Sequence, residues 1–188
     1  MFPFDLLVPR SPDRRGREPD VNAWIELHNL VLVAETLDDL SPEAADRIHR
    51  QRGVDLCERF QDERLALYQR VLGWMLAETP FAEADRTRLA AVASTLHLGP
   101  GDLEAAHQRA FGLVTHDAIA DGALSSEERL RLLTLQHTLG LDPVIAEGAF
   151  DVLARETLLV TVARVLSDGY LSPDENEEVE QARYALGA

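Results

Sequence analysis

The sequence predicts an all-α protein, and three observations lead to this fold class. Ala and Leu are abundant, while aromatic residues make up only 6% of the 188 residues. This composition favours packed helices over sheets of β-branched and aromatic side chains. Apolar residues recur at helical spacing along most of the chain. One turn phrase also occurs twice, at Ala120–Glu128 and at Ser167–Glu175. We therefore predict a compact bundle of about seven helices built from Asp-Gly-x-Leu-Ser-x-x-Glu repeats.

Charge and cysteine content exclude several classes of function. The formal net charge is −15, which opposes direct binding of nucleic acid and of anionic membranes because both need a basic face. No apolar run reaches the roughly 18 residues that span a bilayer, so we predict no membrane insertion. Cys57 is the only cysteine, which rules out an intramolecular disulfide and favours a reducing compartment. The predicted location is the cytoplasm.

Residues 1–19 are predicted to form a mobile leader. Pro3, Pro9 and Pro12 interrupt this stretch before Pro19 closes it, and such a composition suits a segment without regular structure. Its four arginines give a second interpretation, an arm that contacts an acidic partner.

Residues 20–62 are predicted to form an N-terminal helical extension. Asp20 is placed to cap the first helix, which carries an apolar face at helical spacing. That face consists of Trp24, Leu27, Val31 and Ala34. Ser41 and Pro42 start a second helix, with Pro in the first turn, where its missing N–H costs nothing. We expect this helix to pass Phe60 and continue towards Trp74, with a bend at Gly53.

Short and long helices alternate in the rest of the chain. The predicted short helices cover about 83–97, 126–139 and 173–186, and the long ones begin at Asp102 and at Asp142. The last long helix carries an apolar stripe that Glu156 interrupts. The stripe consists of Ile145, Ala149, Val152, Leu159, Ala163 and Leu166.

Three copies of one unit account for this alternation. The first copy is degenerate, since it keeps acids at Glu78 and Asp85 but has lost the Gly and Ser of the phrase. The helix ends agree as well: Thr95-Leu96-His97-Leu98 aligns with Thr138-Leu139-Gly140-Leu141, and Leu139-Gly140 aligns with Leu186-Gly187.

Most of the repeated phrase has a folding role. Gly122 and Gly169 stand where a left-handed residue ends a helix at little cost. Ser125 with Glu128, and Ser172 with Glu175, each match the Ser-x-x-Glu capping box, in which the two side chains satisfy backbone N–H groups reciprocally.

The acids before each Gly lack such a role. Asp121 and Asp168 follow the C-terminal end of a helix, where negative charge meets the unfavourable end of the dipole. Solvent, an arginine or a bound cation would compensate. The candidate ligands for Ca²⁺ or Mg²⁺ are Asp117, Asp121, Glu128, Asp168 and Glu175. An EF-hand does not fit, because Ile119 occupies the third loop position.

A helix ending in Ala-Asp-Gly, then Leu-Ser-x-x-Glu, an apolar helix and Leu-Gly-Leu resembles the TerB-like tellurite-resistance family. The resemblance covers residues 63–188 and is best at 120–141. It implies an all-helical domain linked to stress responses, found in assemblies with other proteins, and binding cations through acids such as Asp121, Glu128, Asp168 and Glu175. It implies no enzyme activity.

The chain offers no catalytic constellation. The six histidines lack the spacing of a zinc pair, the serines mostly read as caps, and no Gly-rich phosphate loop occurs. The predicted function is a noncatalytic acidic interaction module in a stress- or defence-linked cytoplasmic assembly. A protein partner is expected, and self-association stays open. The alternative is a divalent-cation-binding protein that uses the acids of the repeat.

Overall fold

The computed structural model describes residues 3–35, 39–78, 83–121, 123–168 and 172–187. Every regular element in these ranges is helical, which confirms the all-α fold class. The described α-helices number nine: α1 (Val21–Val33), α2 (Pro42–Arg52), α3 (Leu56–Arg59), α4 (Gln61–Glu78), α5 (Glu83–Thr95), α6 (Pro100–Ala118), α7 (Ser126–Leu139), α8 (Pro143–Val165) and α9 (Pro173–Leu186). A 3-10 turn at Leu166–Asp168 follows α8.

The prediction of one helix from Pro42 towards Trp74 is wrong, because this stretch divides into α2, α3 and α4. Gly53 adopts the left-handed conformation, with φ of 63°, and its N–H bonds the carbonyl of His49. That geometry ends α2 and does not merely bend it. Asp55 then starts α3 by accepting hydrogen bonds from the N–H groups of Cys57 and Glu58. The division accounts for nine helices where about seven were expected.

The chain separates into two compact units, Met1–Ala106 (unit 1) and His107–Ala188 (unit 2). The division falls inside α6. The division predicted at residues 62 and 63 came from the extent of the family resemblance, and it stays a prediction.

The core of unit 1 forms where α1 packs on α2, α2 on α5, and α4 on both α3 and α5. The predicted apolar face of α1 is buried along its whole length. Trp24 stacks on Phe60 with ring centroids 6.2 Å apart. Tyr68 is buried beside this core, and burial raises the pKa of its phenol to about 12.

Part of the leader forms a turn, and Asp20 acts differently from the prediction; the mobility of the leader stays a prediction. A turn links Asp13 to Arg17 through backbone hydrogen bonds, and the Asp13 carboxylate accepts from the N–H groups of Arg15 and Arg17. The carboxylate of Asp20 caps no N–H group of α1. It lies 3.0 Å from the guanidinium of Arg59, and this ion pair joins the start of α1 to the end of α3.

The core of unit 2 joins the segment after α6, the middle of α8 and the end of α9. Ile119, Ala154 and Leu186 form a fully buried cluster, against which Leu124 of the repeated phrase packs. Helix α8 packs on α9. The buried position of Ile119 agrees with the exclusion of an EF-hand, whose third loop residue must be a ligand.

Backbone geometry supports the repeat at both ends of its short helices. Both capping boxes are confirmed, at Ser125 with Glu128 and at Ser172 with Glu175. His97, Gly140 and Gly187, which the alignment made equivalent, share positive φ values of 48°, 66° and 71°. The three aligned helices therefore end in the same way. Gly122 and Gly169, the predicted helix stops, lie outside the described residues.

Candidate functional site

The first two candidate metal ligands lie on the surface at the end of α6. The side chain of Asp117 is 87% exposed, and its carboxylate lies 3.7 Å from Nδ1 of His116. Asp121 is exposed three residues beyond the end of α6. Its Oδ1 accepts a hydrogen bond from the N–H of Ala123 at 3.0 Å. Asp121 thus has a local role in the turn, of the Asx-turn kind.

Two further candidates, Glu128 and Glu175, are occupied by helix capping. The Glu128 carboxylate accepts from the backbone N–H of Ser125 at 2.8 Å and from its hydroxyl at 2.6 Å. The Ser125 side chain and N–H hold the pKa of Glu128 below its usual value. Glu175 accepts from the N–H of Ser172 at 2.8 Å. Both carboxylates therefore already accept hydrogen bonds within their capping boxes.

The fifth candidate, Asp168, lies at the end of the 3-10 turn, and its side chain is outside the described part of the chain. Among the side chains that the structure does describe, no three or more of His, Cys, Asp and Glu are placed to hold a metal ion. The cation-binding site stays a prediction, since Asp168 belongs to it.

Reactive side chains take structural positions in the described ranges. Cys57 is a free, exposed thiol in α3. Nδ1 of His107 lies 2.9 Å from the carbonyl of Leu139, to which it donates, and this bond ties α6 to the end of α7. Burial lowers the pKa of His107. One surface pocket of about 530 Å³ lies beside the Asp13–Arg17 turn and is lined by ion-paired side chains and by Phe60.

The predicted apolar stripe of α8 faces solvent. Ile145, Val152, Leu159 and Leu166 follow one another at intervals of seven residues, and their exposed fractions are 42%, 56%, 67% and 45%. The opposite side of α8, at Ala146, Ala154 and Val165, is buried. Helix α8 therefore has two apolar sides, and the unit 2 core uses only one.

Two opposite charges lie at the centre of this exposed face. Arg155 and Glu156 are both exposed, and neither forms an ion pair with any residue in the described ranges. Arg164, on the same helix, pairs with Glu178 of α9. The exposed face thus keeps one positive and one negative side chain available.

The face is symmetric about its midpoint, which falls between Arg155 and Glu156. Three pairs of side chains at equal distances from the midpoint match in size and polarity, whereas the flanking exposed residues Asp151 and Val160 do not. The matching pairs are Ile145 with Leu166, Gly148 with Ala163, and Val152 with Leu159. These residues and the two central charges define the α8 face. A surface of this kind is self-complementary in antiparallel pairing, since each half meets the other half of a second copy.

The sequence indicated part of the α8 face. The seven-residue spacing from Ile145 to Leu166 predicted an apolar stripe. That prediction included Ala149 and did not include the symmetry of the face. Period alone cannot say which of two apolar sides meets the core. The missed signal was the width of the apolar surface: Ala146, Phe150 and Ala154 form a second stripe on the other side of the helix.

Comparison with known proteins adds no relative. No protein-family model, no curated protein and no solved structure matches this chain. Within the described ranges, none of the helices combines the length and apolar character needed to cross a bilayer.

Proposed function

We propose that this chain is a noncatalytic helical interaction module that associates with a second copy of itself through the α8 face. The observation that carries the proposal is the exposed stripe of four large apolar side chains, three on α8 and Leu166 in the 3-10 turn that follows it. Contiguous exposed apolar patches on a domain commonly mark interaction sites. The matching sequence on either side of the midpoint selects a second copy as the partner.

Antiparallel pairing of two α8 helices would bury the apolar side chains of the α8 face and pair its two central charges. Val152 of one copy would meet Leu159 of the other, and Ile145 would meet Leu166. The small residues Gly148 and Ala163 leave room for close approach of the helices. Arg155 of each copy would face Glu156 of the other, which gives two opposite-charge pairs at the centre.

The distribution of charge also favours α8. Two copies with a formal net charge of −15 each repel one another, most strongly at low salt. Helix α8 contains three acids and two arginines, so it is close to neutral. It offers a surface on which two acidic copies can approach at small electrostatic cost.

The wider setting rests on the family resemblance. The TerB-like pattern at residues 120–141 supports a role in a stress- or defence-linked cytoplasmic assembly that includes other proteins. A self-associating module is suited to such a role, because pairing doubles the number of partner sites that one particle presents.

Sedimentation equilibrium of the full chain tests the proposal. We expect a concentration-dependent dimer at micromolar chain, and we expect V152E and L159E each to shift the chain to monomer. A buried carboxylate without a partner would oppose the apolar contact. Both positions are exposed in the single chain, so the fold should tolerate the changes.

Matched controls lie on α7. L130E and L133E alter side chains with exposures of 65% and 57%, similar to those on α8, but outside the α8 face. They should leave the dimer unchanged. A wild-type chain that stays monomeric up to hundreds of micromolar, or equal effects of the α7 and α8 variants, would refute the proposal.

A further inference from the structure

Two asparagines of α1 hold the backbone of the leader through paired hydrogen bonds. Asn29 accepts from the N–H of Leu7 through Oδ1 and donates to the Leu7 carbonyl through Nδ2, both at 2.8 Å. Asn22 makes the same pair of bonds with the N–H and carbonyl of Arg10, again at 2.8 Å. Each amide therefore binds one residue of the leader entirely through its backbone.

The spacing of the two asparagines matches an extended chain. Asn22 and Asn29 are seven residues apart, which is about 10.5 Å along an α-helix. Leu7 and Arg10 are three residues apart, which is about 9.3 Å in a polyproline II conformation. The leader runs antiparallel to α1, since its later residue binds the earlier asparagine. One face of α1 thus binds the backbone of two leader residues that are three positions apart.

A third contact extends this period towards the start of the leader. The guanidinium of Arg70 on α4 lies over the ring of Phe4, 4.4 Å from its centroid, in a cation–π arrangement. Phe4, Leu7 and Arg10 are each three residues apart, as in a left-handed polyproline helix. Pro3, Pro9 and Pro12 favour that conformation and lower the entropy lost on binding.

The leader leaves most of its apolar side chains exposed, whereas Phe4 is half-buried. Leu6 and Leu7 are exposed by 53% and 38%, and Val8 by 82%. Backbone bonds to the two asparagines, the contact of Phe4 with Arg70 and the ion pair of Glu18 with Arg52 attach it. A segment held in this way can be exchanged for another segment with the same backbone shape, because the asparagines read no side chain.

We propose that Asn22, Asn29 and Arg70 form a binding site, the asparagine clamp, for an extended proline-containing segment of a partner protein. The segment would carry an aromatic residue at the Phe4 position and free N–H groups three and six residues later. The chain's own leader occupies the clamp until such a partner competes for it. This inference uses contacts within unit 1 and does not depend on the α8 face.

The test uses full chains whose own leader cannot bind the clamp. L7P/R10P removes the two donor N–H groups, and proline preserves the extended conformation. V8P/S11P is the matched control, because the structure shows no hydrogen bond from the N–H of Val8 or Ser11 in the described ranges. The probe is a fluorescein-labelled synthetic peptide of residues 3–12, and the readout is fluorescence anisotropy.

We expect the peptide to bind L7P/R10P at least tenfold more tightly than it binds the wild type or V8P/S11P. N-methylation of the Leu7 amide in the peptide should weaken binding about tenfold, since one donor is lost without any change to the protein. N29A in the L7P/R10P background should have a similar effect. A Phe4→Ala peptide should also bind more weakly, which would define the aromatic position.

Two outcomes would overturn the inference. One is equal binding of the peptide to L7P/R10P and to the wild type, or equal binding of the N-methylated and unmodified peptides. The other is a stable complex between L7P/R10P and V8P/S11P that the peptide dissolves, since the occupant would then be the leader of a second copy. The α8 variants V152E and L159E should not alter peptide binding, so the two proposals can fail separately.

Discussion

Arg64 is a buried cation that joins three backbone segments of unit 1. Its guanidinium donates to the carbonyls of Leu96 and His97 at the end of α5, and to the carbonyl of Cys57 in α3. Its Nε is buried without a partner among the described residues. Three charge-assisted bonds outweigh one unsatisfied N–H, because each bond from a charged donor contributes about 1.5–3 kcal/mol.

We therefore expect R64M to lower the free energy of unfolding by about 2–4 kcal/mol, since it leaves buried carbonyls unpaired. Urea denaturation measures this change. R59M is the matched control, because the Arg59 side chain is 62% exposed and pairs with Asp20 alone among the described residues; its cost should stay below about 1 kcal/mol. Equal costs for the two variants would show that Arg64 has no special role.

His28 makes the stability of unit 1 depend on pH. It is buried, and desolvation lowers its pKa, while its hydrogen bond to Asn29 acts in the opposite direction. A lowered pKa means that the unfolded chain binds the proton more readily than the folded chain. The stabilisation from neutral His28 is therefore complete above about pH 6.5 and is lost as the pH falls through the folded pKa.

We expect the wild-type free energy of unfolding to fall between pH 7 and pH 5, and H28Q to show a smaller fall. His107, whose pKa burial also lowers, should supply the part that remains. Urea titrations at fixed pH values measure both slopes. Parallel pH profiles for the wild type and H28Q would contradict this assignment.

Substitutions of Asp121 distinguish a role in the turn from a role as a metal ligand. Its hydrogen bond to the N–H of Ala123 needs an acceptor oxygen and not a charge. We therefore expect D121N to preserve the melting temperature and D121A to lower it, with Ca²⁺ or Mg²⁺ at millimolar concentration having no effect on either variant. If divalent ions raise the melting temperature of the wild type but not of D121N, the cation-binding alternative is correct.

At the scale of the helix, the three aligned C-terminal ends allow a reciprocal experiment. His97 holds a left-handed conformation, with φ of 48°, and this conformation costs a side-chain-bearing residue about 1 kcal/mol. Gly140 meets the same requirement at no such cost, and no atom lies within 4 Å of a Cβ added there. The difference between the two positions is therefore mainly conformational.

We expect G140A to lower the free energy of unfolding by about 1 kcal/mol. H97G should raise it by about 0.5–1 kcal/mol, because the lost His97–Asp46 pair at 3.4 Å is partly exposed and weak. Thermal and urea unfolding check both signs. A destabilised H97G chain would mean that the contact between α2 and α5 depends on the His97 side chain.

Local chemistry explains which helices could be predicted. The starts of α7 and α9 follow from Ser-x-x-Glu, and α8 starts at Asp142, whose carboxylate accepts from the N–H of Val144. The break at Gly53 and the failure of Asp20 to cap α1 were missed. The break at Gly53 is a local left-handed helix end, whereas the carboxylate of Asp20 is drawn to Arg59, which no local pattern announces.

For the whole molecule, the sequence indicated the candidate sites only in part. The acids of the repeat were visible, but their use in caps and turns depends on geometry. The stripe of α8 was visible, but its exposure depends on which side the core of unit 2 selects. The asparagine clamp pairs residues 12 and 22 positions apart, and a mobile leader was predicted because such pairing has no local sequence signal.

The proposed pairing of α8 helices has a single register, which substitutions of the two central charges would test. Arg155 faces Glu156 of the second copy only in the symmetric antiparallel arrangement. R155E would place two acids opposite one another at both positions, and E156R would place two arginines there. The double variant R155E/E156R would restore two opposite-charge pairs with their polarity reversed.

Sedimentation equilibrium of these three variants and the wild type is therefore the most direct test of the account. We predict that each single reversal raises the dissociation constant of the dimer about tenfold, and that R155E/E156R returns it to within about threefold of the wild type. Two results would contradict association through the α8 face. One is a dissociation constant of the double variant that is raised by both single effects combined, and the other is a dissociation constant that none of the three variants changes.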